Sequence, residues 1–188
     1  AGSYKDLLQV SNSNSGVDTT ARAVSDGEGT ATLLYLSTTE VYNPGTGGTS
    51  NTAFGKNAGD ALTTNGNYNV VFGEDAGTAI TTGDENVCIG YQAGDAFDAE
   101  SDNIFIGSAA GGGASLAIGE TIAIGSDTLL ALTDGVNNIA IGHGALKEHI
   151  TGARNIAIGH GAMDETGGSN AAASNYNVAL GWNALGGA

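Results

Sequence analysis

The chain says nearly the same thing eight times. "NTAFG" at 51–55 returns as "NVVFG" at 69–73, "NVCIG" at 86–90, "NIFIG" at 103–107, "TIAIG" at 121–125, "NIAIG" at 138–142 and 155–159, and "NVALG" at 177–181. The closing glycines, Gly55, Gly73, Gly90, Gly107, Gly125, Gly142, Gly159 and Gly181, are separated by 18, 17, 17, 18, 17, 17 and 22 residues. A short period held this closely marks a solenoid or array, in which each repeat buries its apolar surface only against its neighbours. Alanine stands three residues after the glycine at Ala58, Ala76, Ala93, Ala110, Ala145, Ala162 and Ala184, with Thr128 the exception, so the unit is N-x-x-φ-G-x-x-A.

Each unit sets three β-forming residues between an Asn and a Gly, the pattern of a short strand between turns. A period of 17 leaves room for about two short strands and two turns per coil, with coils stacking at about 4.8 Å. The expected fold is all-β: a parallel β-roll or β-solenoid of eight coils, roughly 35 Å tall over seven steps at that spacing. The recurrent Asn51, Asn69, Asn86, Asn103, Asn138, Asn155 and Asn177 are expected to stack in a side-chain amide ladder, a structural role that we favour over glycan or ion recognition.

Successive strand residues face opposite sides, so each unit divides into two sets. The larger pair, such as Ile104 with Ile106 or Ile139 with Ile141, is expected inside the coil. The middle residue, Ala53, Val71, Cys88, Phe105, Ala123, Ala140, Ala157 or Ala179, is expected outside, yet it is always apolar. A strand apolar on both faces is normally covered on both. One 17-residue coil cannot cover its own outside, so these eight residues are the expected interface of a homotrimer, identical rods packed around one axis.

Composition agrees with an unusual core. Aromatic residues make up 6% of the 188 and glycine contributes 32, against one proline, which excludes collagen and argues for glycine placed by a regular backbone. The net charge of −15, from 20 acidic and 5 basic residues, opposes phosphate contacts and anionic membranes, so nucleic acid and membrane insertion are not expected. The single Cys88 allows no disulfide framework. No signal-peptide pattern or run of 18 apolar residues is present, which reads as a fragment of a soluble protein.

Residues 1–48 lack the repeat. Their short β-type runs, notably 30–42, are expected to form an extended β shaft leading into the trimer, and "NPGTGG" at 43–48 marks the boundary before the solenoid at 49–188. Two irregularities interrupt the repeat. "SLAIG" at 115–119 looks like an extra copy on the coil's other strand, and five additional residues within 164–176 suggest a protruding loop, a natural contact point in a solenoid.

Chemistry is sparse. His143 and His160 occupy equivalent places and should stack one rung apart, a conceivable metal or anion site, but the same place holds Lys56, Glu74, Tyr91, Ser108, Ser126 and Trp182, the mixture of a solvated turn. Asp60, Asp75, Asp84, Glu85, Asp95, Asp98, Glu100 and Asp102 fall mostly in turns where calcium could bind through oxygen. The calcium-roll nonapeptide is absent, and a solvated acidic face is the better reading. No nucleophile triad order, phosphate-binding glycine loop or HExxH helix appears, and carboxylate pairs at glycosidase distances arise here without meaning. Paired threonines at 63–64 and 81–82 supply only two rungs of an ice-binding ladder. Cys88 is expected to be a buried small side chain rather than a nucleophile. No cofactor, metal or catalytic residue is assigned, and the chain is not expected to be an enzyme.

The units "NVCIGYQAGDA", "NIAIGHGAL" and "NVALGWNAL" resemble the head repeats of YadA-like trimeric autotransporter adhesins, and more nearly the repeats of bacteriophage tail fibres. The resemblance covers about residues 51–185. It implies a trimeric virion tail fibre joined to other tail proteins and contacting a bacterial surface glycan or protein receptor, with a bacterial cell-surface adhesin head binding matrix or glycan as the alternative. Asn rather than Ser at the first position and the period of 17 favour the phage source.

Overall fold

The computed structural model of the chain describes residues 48–113, 119–164 and 174–186, together with the backbone of four strands before them. Those four, β1 (Gln9–Val10), β2 (Arg22–Ser25), β3 (Ala31–Leu36) and β4 (Val41–Tyr42), pair antiparallel in the order β1-β2-β3-β4. The β-type run at 30–42 therefore carries β3 and β4, folded back on each other.

From residue 52 onward the repeat takes over. Strands β5 (Thr52–Phe54), β6 (Val70–Phe72), β7 (Val87–Ile89), β8 (Ile104–Ile106), β9 (Ile122–Ile124), β10 (Ile139–Ile141), β11 (Ile156–Ile158) and β12 (Val178–Leu180) form one parallel eight-stranded sheet in chain order. Each is the three-residue run between Asn or Thr and Gly, and every pairing matches equivalent repeat positions, Ala53↔Val71 and Ala157↔Ala179 alike. Among the described residues there is no helix, and none is long and apolar enough to cross a membrane. This is a parallel β-solenoid.

The strands are short because left-handed backbone brackets them. The residue before each Asn or Thr, from Ser50 (φ 59°) through Asp102 (63°) to Tyr176 (60°), sits at positive φ. The closing glycine follows at φ between 125° and 142°, a region that only glycine enters at little cost. At that point the backbones of adjacent coils also meet: a Cβ on Gly73, Gly90 or Gly107 would stand 2.5 Å from the carbonyl oxygen of the next glycine up. Seven of the eight glycines thus answer two demands, dihedral and contact, and Gly181, at the end of the stack, only the first.

Side-chain parity is the reverse of the expectation. The middle residues Ala53, Val71, Cys88, Phe105, Ala123, Ala140, Ala157 and Ala179 are buried inside the single chain, while their flanking partners are half-buried or exposed on the outside. The trimer-interface assignment of these eight residues is therefore corrected: they line the coil's own core. The physical reason is the Asn ladder. Asn, middle residue and Gly share one parity, and the Asn amides are satisfied only inside, so the middle residue goes in with them. A coil this tightly turned has room on that side mainly for alanine, and the isoleucines of the strands are left outside.

The interior is completed by the alanine column after the glycines and, in four of the coils, by a larger apolar residue seven positions after the glycine: Leu62, Ile80, Phe97 and Leu132. Volumes trade between neighbouring positions. Where the middle residues are large, at Val71, Cys88 and Phe105, the fourth residue after the glycine is Gly77, Gly94 or Gly111, and a Cβ on Gly94 would lie 2.6 Å from the Cys88 sulfur and 2.9 Å from the Phe105 ring. In three of the five repeats whose middle residue is alanine, the same place holds buried Leu129, Leu146 and Met163; the first repeat has Gly59 there and the last an exposed Leu185. Phe97 and Phe105 fill the widest part edge to face, 5.3 Å between centroids at 69°.

Candidate functional site

The Asn column is architecture of a demanding kind. Asn69 Oδ1 accepts from both the backbone N–H (2.9 Å) and Nδ2 (3.1 Å) of Asn86, and Asn86 Oδ1 accepts from the same two groups of Asn103 at 3.0 and 3.1 Å. The other Nδ2 proton goes to a turn carbonyl, Glu100 O at 2.9 Å for Asn86 and Gly152 O at 2.8 Å for Asn138. Asn138, Asn155 and Asn177 continue the pattern. Thr121 interrupts it: its hydroxyl donates to Gly119 O at 3.1 Å and accepts from Asn138 N–H at a long 3.4 Å. Apart from the half-buried Asn177 at the end of the column, these amides are buried and bonded to one another.

Outside the sheet the situation is opposite. Of the ten large apolar side chains that stay exposed among the described residues, nine lie on the outer face of the sheet or along its two edges. Phe54, Phe72, Ile89, Val178 and Leu180 are on the face. Tyr68 and Tyr176 precede the Asn column, and Tyr91 and Trp182 follow the glycine column. Half-buried isoleucines of β8 to β11 join the two ends of this stripe. The wall is about 35 Å tall by the strand spacing and about 20 Å wide, six residue steps, from the first edge to the second, a footprint of about 700 Å². A monomer's largest apolar patch is commonly about 300–600 Å² and is often functional.

Within one chain the columns on this wall stack on themselves. Phe54 and Phe72 lie 5.3 Å apart at 16°, and Arg154 sits 5.6 Å over the Tyr176 ring. His143 and His160 stack at 5.1 Å and 14°, as their repeat positions predict, and His160 meets Trp182 edge-on at 5.8 Å. Lys56 bonds Glu74 at 3.0 Å. Among the described residues no three His, Cys, Asp or Glu side chains gather as metal ligands. The acidic turns make local bonds instead: Asp84 Oδ1 accepts from Asn67 N–H at 2.7 Å and Asp75 from the Asn57 amide at 2.8 Å.

Cys88 is buried, and burial with help from Asp95 pushes its thiol far above the ordinary range, so it is inert as a nucleophile. A shallow recess lined by Asp134, Gly135, Thr151, Gly152, Ala153 and Asn175 holds a single ionisable group, Asp134. The residue that the sequence reading passed over is His149. It occupies the seventh place after Gly142, equivalent to Leu62 and Leu132, is fully buried, and burial pushes its imidazole below the ordinary range. The alignment of that column carried the signal. The extra copy at 115–119 lies outside the described residues apart from Gly119, and so does the loop, of which Asp164 and 174–176 alone are described.

Comparison with protein-family models, with curated proteins and with solved structures finds no match to this chain.

Proposed function

We propose that this chain is a structural and host-surface-binding segment of a trimeric phage tail fibre, in which three copies turn their sheet walls toward a common axis. The observation that carries the assembly is the exposed apolar wall, running through eight rungs without a polar interruption at the third strand position, from Phe54 to Leu180. Among the described residues nothing covers it.

Geometry favours three over other numbers. Walls about 20 Å wide closing a triangular prism stand about 6 Å from its axis, close to half the roughly 10 Å at which sheets pack face to face. Isoleucine, valine and phenylalanine side chains fill that space. Four such walls would stand about 10 Å from the axis and leave an open apolar channel. The surface-binding part of the reading is supported by the resemblance of the repeats to tail-fibre sequence and by the variety of residues at the outward turns, where a solenoid carries recognition at no expense to its core.

Sedimentation of the purified protein tests the assembly: a mass of three chains is expected, and a monomer at micromolar concentration refutes it. Replacement of residues 165–173 by a short linker tests attachment. Loss of binding to host cells with the trimer retained locates recognition there, whereas attachment unchanged by this replacement and by exchange of the turn residues refutes a binding role for the segment.

A further inference from the structure

If copies of this chain are related by rotation about an axis parallel to the rod, the edge of one wall that precedes the Asn column meets the edge of the next wall that follows the glycine column. This holds for any ring of that kind, and it rests on the reading that copies of the chain cover the wall. Height is constrained as well. A coil that climbs about 4.8 Å in 17 residues climbs at most about 2 Å across the six residues of a wall, less than half a rung, so the nearest residue on the neighbour belongs to the same repeat.

The residues at the two edges are paired in composition. In the second repeat Tyr68 stands at the first edge and Glu74 at the second; in the third, Glu85 and Tyr91. The fourth has Asp102 and Ser108, and the fifth Glu120 and Ser126. All are exposed except the half-buried Ser126. In each of these four repeats one edge carries a carboxylate and the other a hydroxyl, and in the last repeat both are aromatic, Tyr176 and Trp182. The remaining three repeats carry no such pair: the first has Ser50 and Lys56, the sixth Asn137 and His143, and the seventh two basic residues, Arg154 and His160. Within one chain the two are about 20 Å apart, six residues along an extended strand, so the pairing has no intramolecular use. Two edge carboxylates also have partners in their own chain, Glu74 with Lys56 at 3.0 Å and Glu120 with the Asn137 amide at 2.6 Å, which holds them in place and leaves the second oxygen to accept. Packing with the rods antiparallel would instead bring Asp102 of one copy against Glu120 of another, a repulsive contact in the middle of the interface.

We propose that neighbouring copies meet edge to edge in register, each carboxylate of the second to fifth repeats accepting a hydrogen bond from the tyrosine or serine hydroxyl of the same repeat in the next copy, and that these pairs set the register and polarity of the assembly. The apolar wall supplies association, and the edges supply its alignment.

The test uses short-span cross-linking in the full chain with Cys88→Ala, a change to the residue that most rungs already carry. With Asp102→Cys and Ser108→Cys together, a short bismaleimide is expected to link chains covalently up to the full native oligomer on a denaturing gel. Each single variant is expected to give none, and the one-rung-offset pair Asp102→Cys with Tyr91→Cys far less. Co-expressed Asp102→Cys and Glu120→Cys single variants link only if the rods run antiparallel. An oligomer that fails to link through Asp102 and Ser108, or that links through the offset or antiparallel pairs, overturns the register. A monomer in sedimentation overturns the covering reading itself, and the two failures are told apart by that measurement.

Discussion

Replacing Asn86 by alanine isolates what the buried ladder contributes. The substitution removes an acceptor used by the Asn103 N–H and Nδ2 and a donor used by the Glu100 carbonyl. Asn69 Oδ1 keeps the bond from the backbone N–H of residue 86, 2.9 Å in the native chain. One buried backbone group, the Asn103 N–H, and one half-buried one, the Glu100 carbonyl, are thus left without these partners, at about 1–3 kcal/mol each and less for the second, for a total of about 3 kcal/mol before the small void is counted. Asn86→Ser, which restores part of the bonding as Thr121 does in its own rung, should lose about half as much. Asn86→Asp keeps the acceptor but loses the donor and faces a charge toward two oxygens, so it should be the worst of the three. Asn57→Ala is the control, removing an exposed amide bond to Asp75 of 2.8 Å, and should cost under about 1 kcal/mol. Denaturant unfolding followed by circular dichroism reads the series; if unfolding is irreversible, unfolding rates serve instead. A loss for Asn86→Ala no larger than for Asn57→Ala would refute the argument that the amides hold the coils.

Gly107→Ala meets both a φ of 136° and a carbonyl 2.5 Å from the new Cβ, so it should cost more than about 4 kcal/mol and lower yield of folded protein, measured by soluble expression and thermal melting. His149 is held neutral by burial, with its pKa depressed from the ordinary 6.5. The unfolded chain therefore takes up a proton that the folded chain refuses, and stability, full above that pH, should fall as pH drops below it by at most about 1.4 kcal/mol per unit. His149→Leu, matching Leu62 and Leu132, should flatten that slope in unfolding midpoints compared between pH 7.5 and 5.5, values chosen to straddle it. Ile139→Asp on the outer wall should leave the circular dichroism of the coil intact but shift the sedimenting species to monomer, since it places a charge in the covered face and not in the core. The Cys88 thiol should resist maleimide in the native protein and react fully once unfolded, read by mass spectrometry.

The strands were legible to the residue. The run between Asn and Gly is the strand in every repeat, because an obligatory positive φ at the glycine and a left-handed residue before the Asn leave nowhere else for extended backbone. The amide ladder and the His143–His160 stack followed from period alone. Inside and outside did not follow from size. Bulk suggests core, whereas parity with the buried Asn decides the matter, and a coil with so narrow a section prefers Ala140 to Ile139 within it. His149 was hidden for a related reason: a polar residue in a core column shows only when Leu62, Ile80, Phe97 and Leu132 are aligned above and below it. The antiparallel pairing of β1 to β4 had no comparable signal, since two of those strands are only two residues long and their neighbours repeat no motif.

The step from Ile156 to Val178 spans 22 residues, yet the two strands pair as squarely as those 17 apart. Extra sequence between two strands therefore leaves their pairing unchanged and adds nothing to the height of the stack. Because amides and glycines must stack whole coil on whole coil, length is quantised: it can change only by one complete unit, about 4.8 Å at a time, while decoration between strands varies without any such constraint. A lineage carrying this architecture can tune reach by duplicating or deleting a coil and tune contacts by rewriting a loop. The two adjustments do not interfere, so the length of the rod and the make-up of its outward turns can change independently.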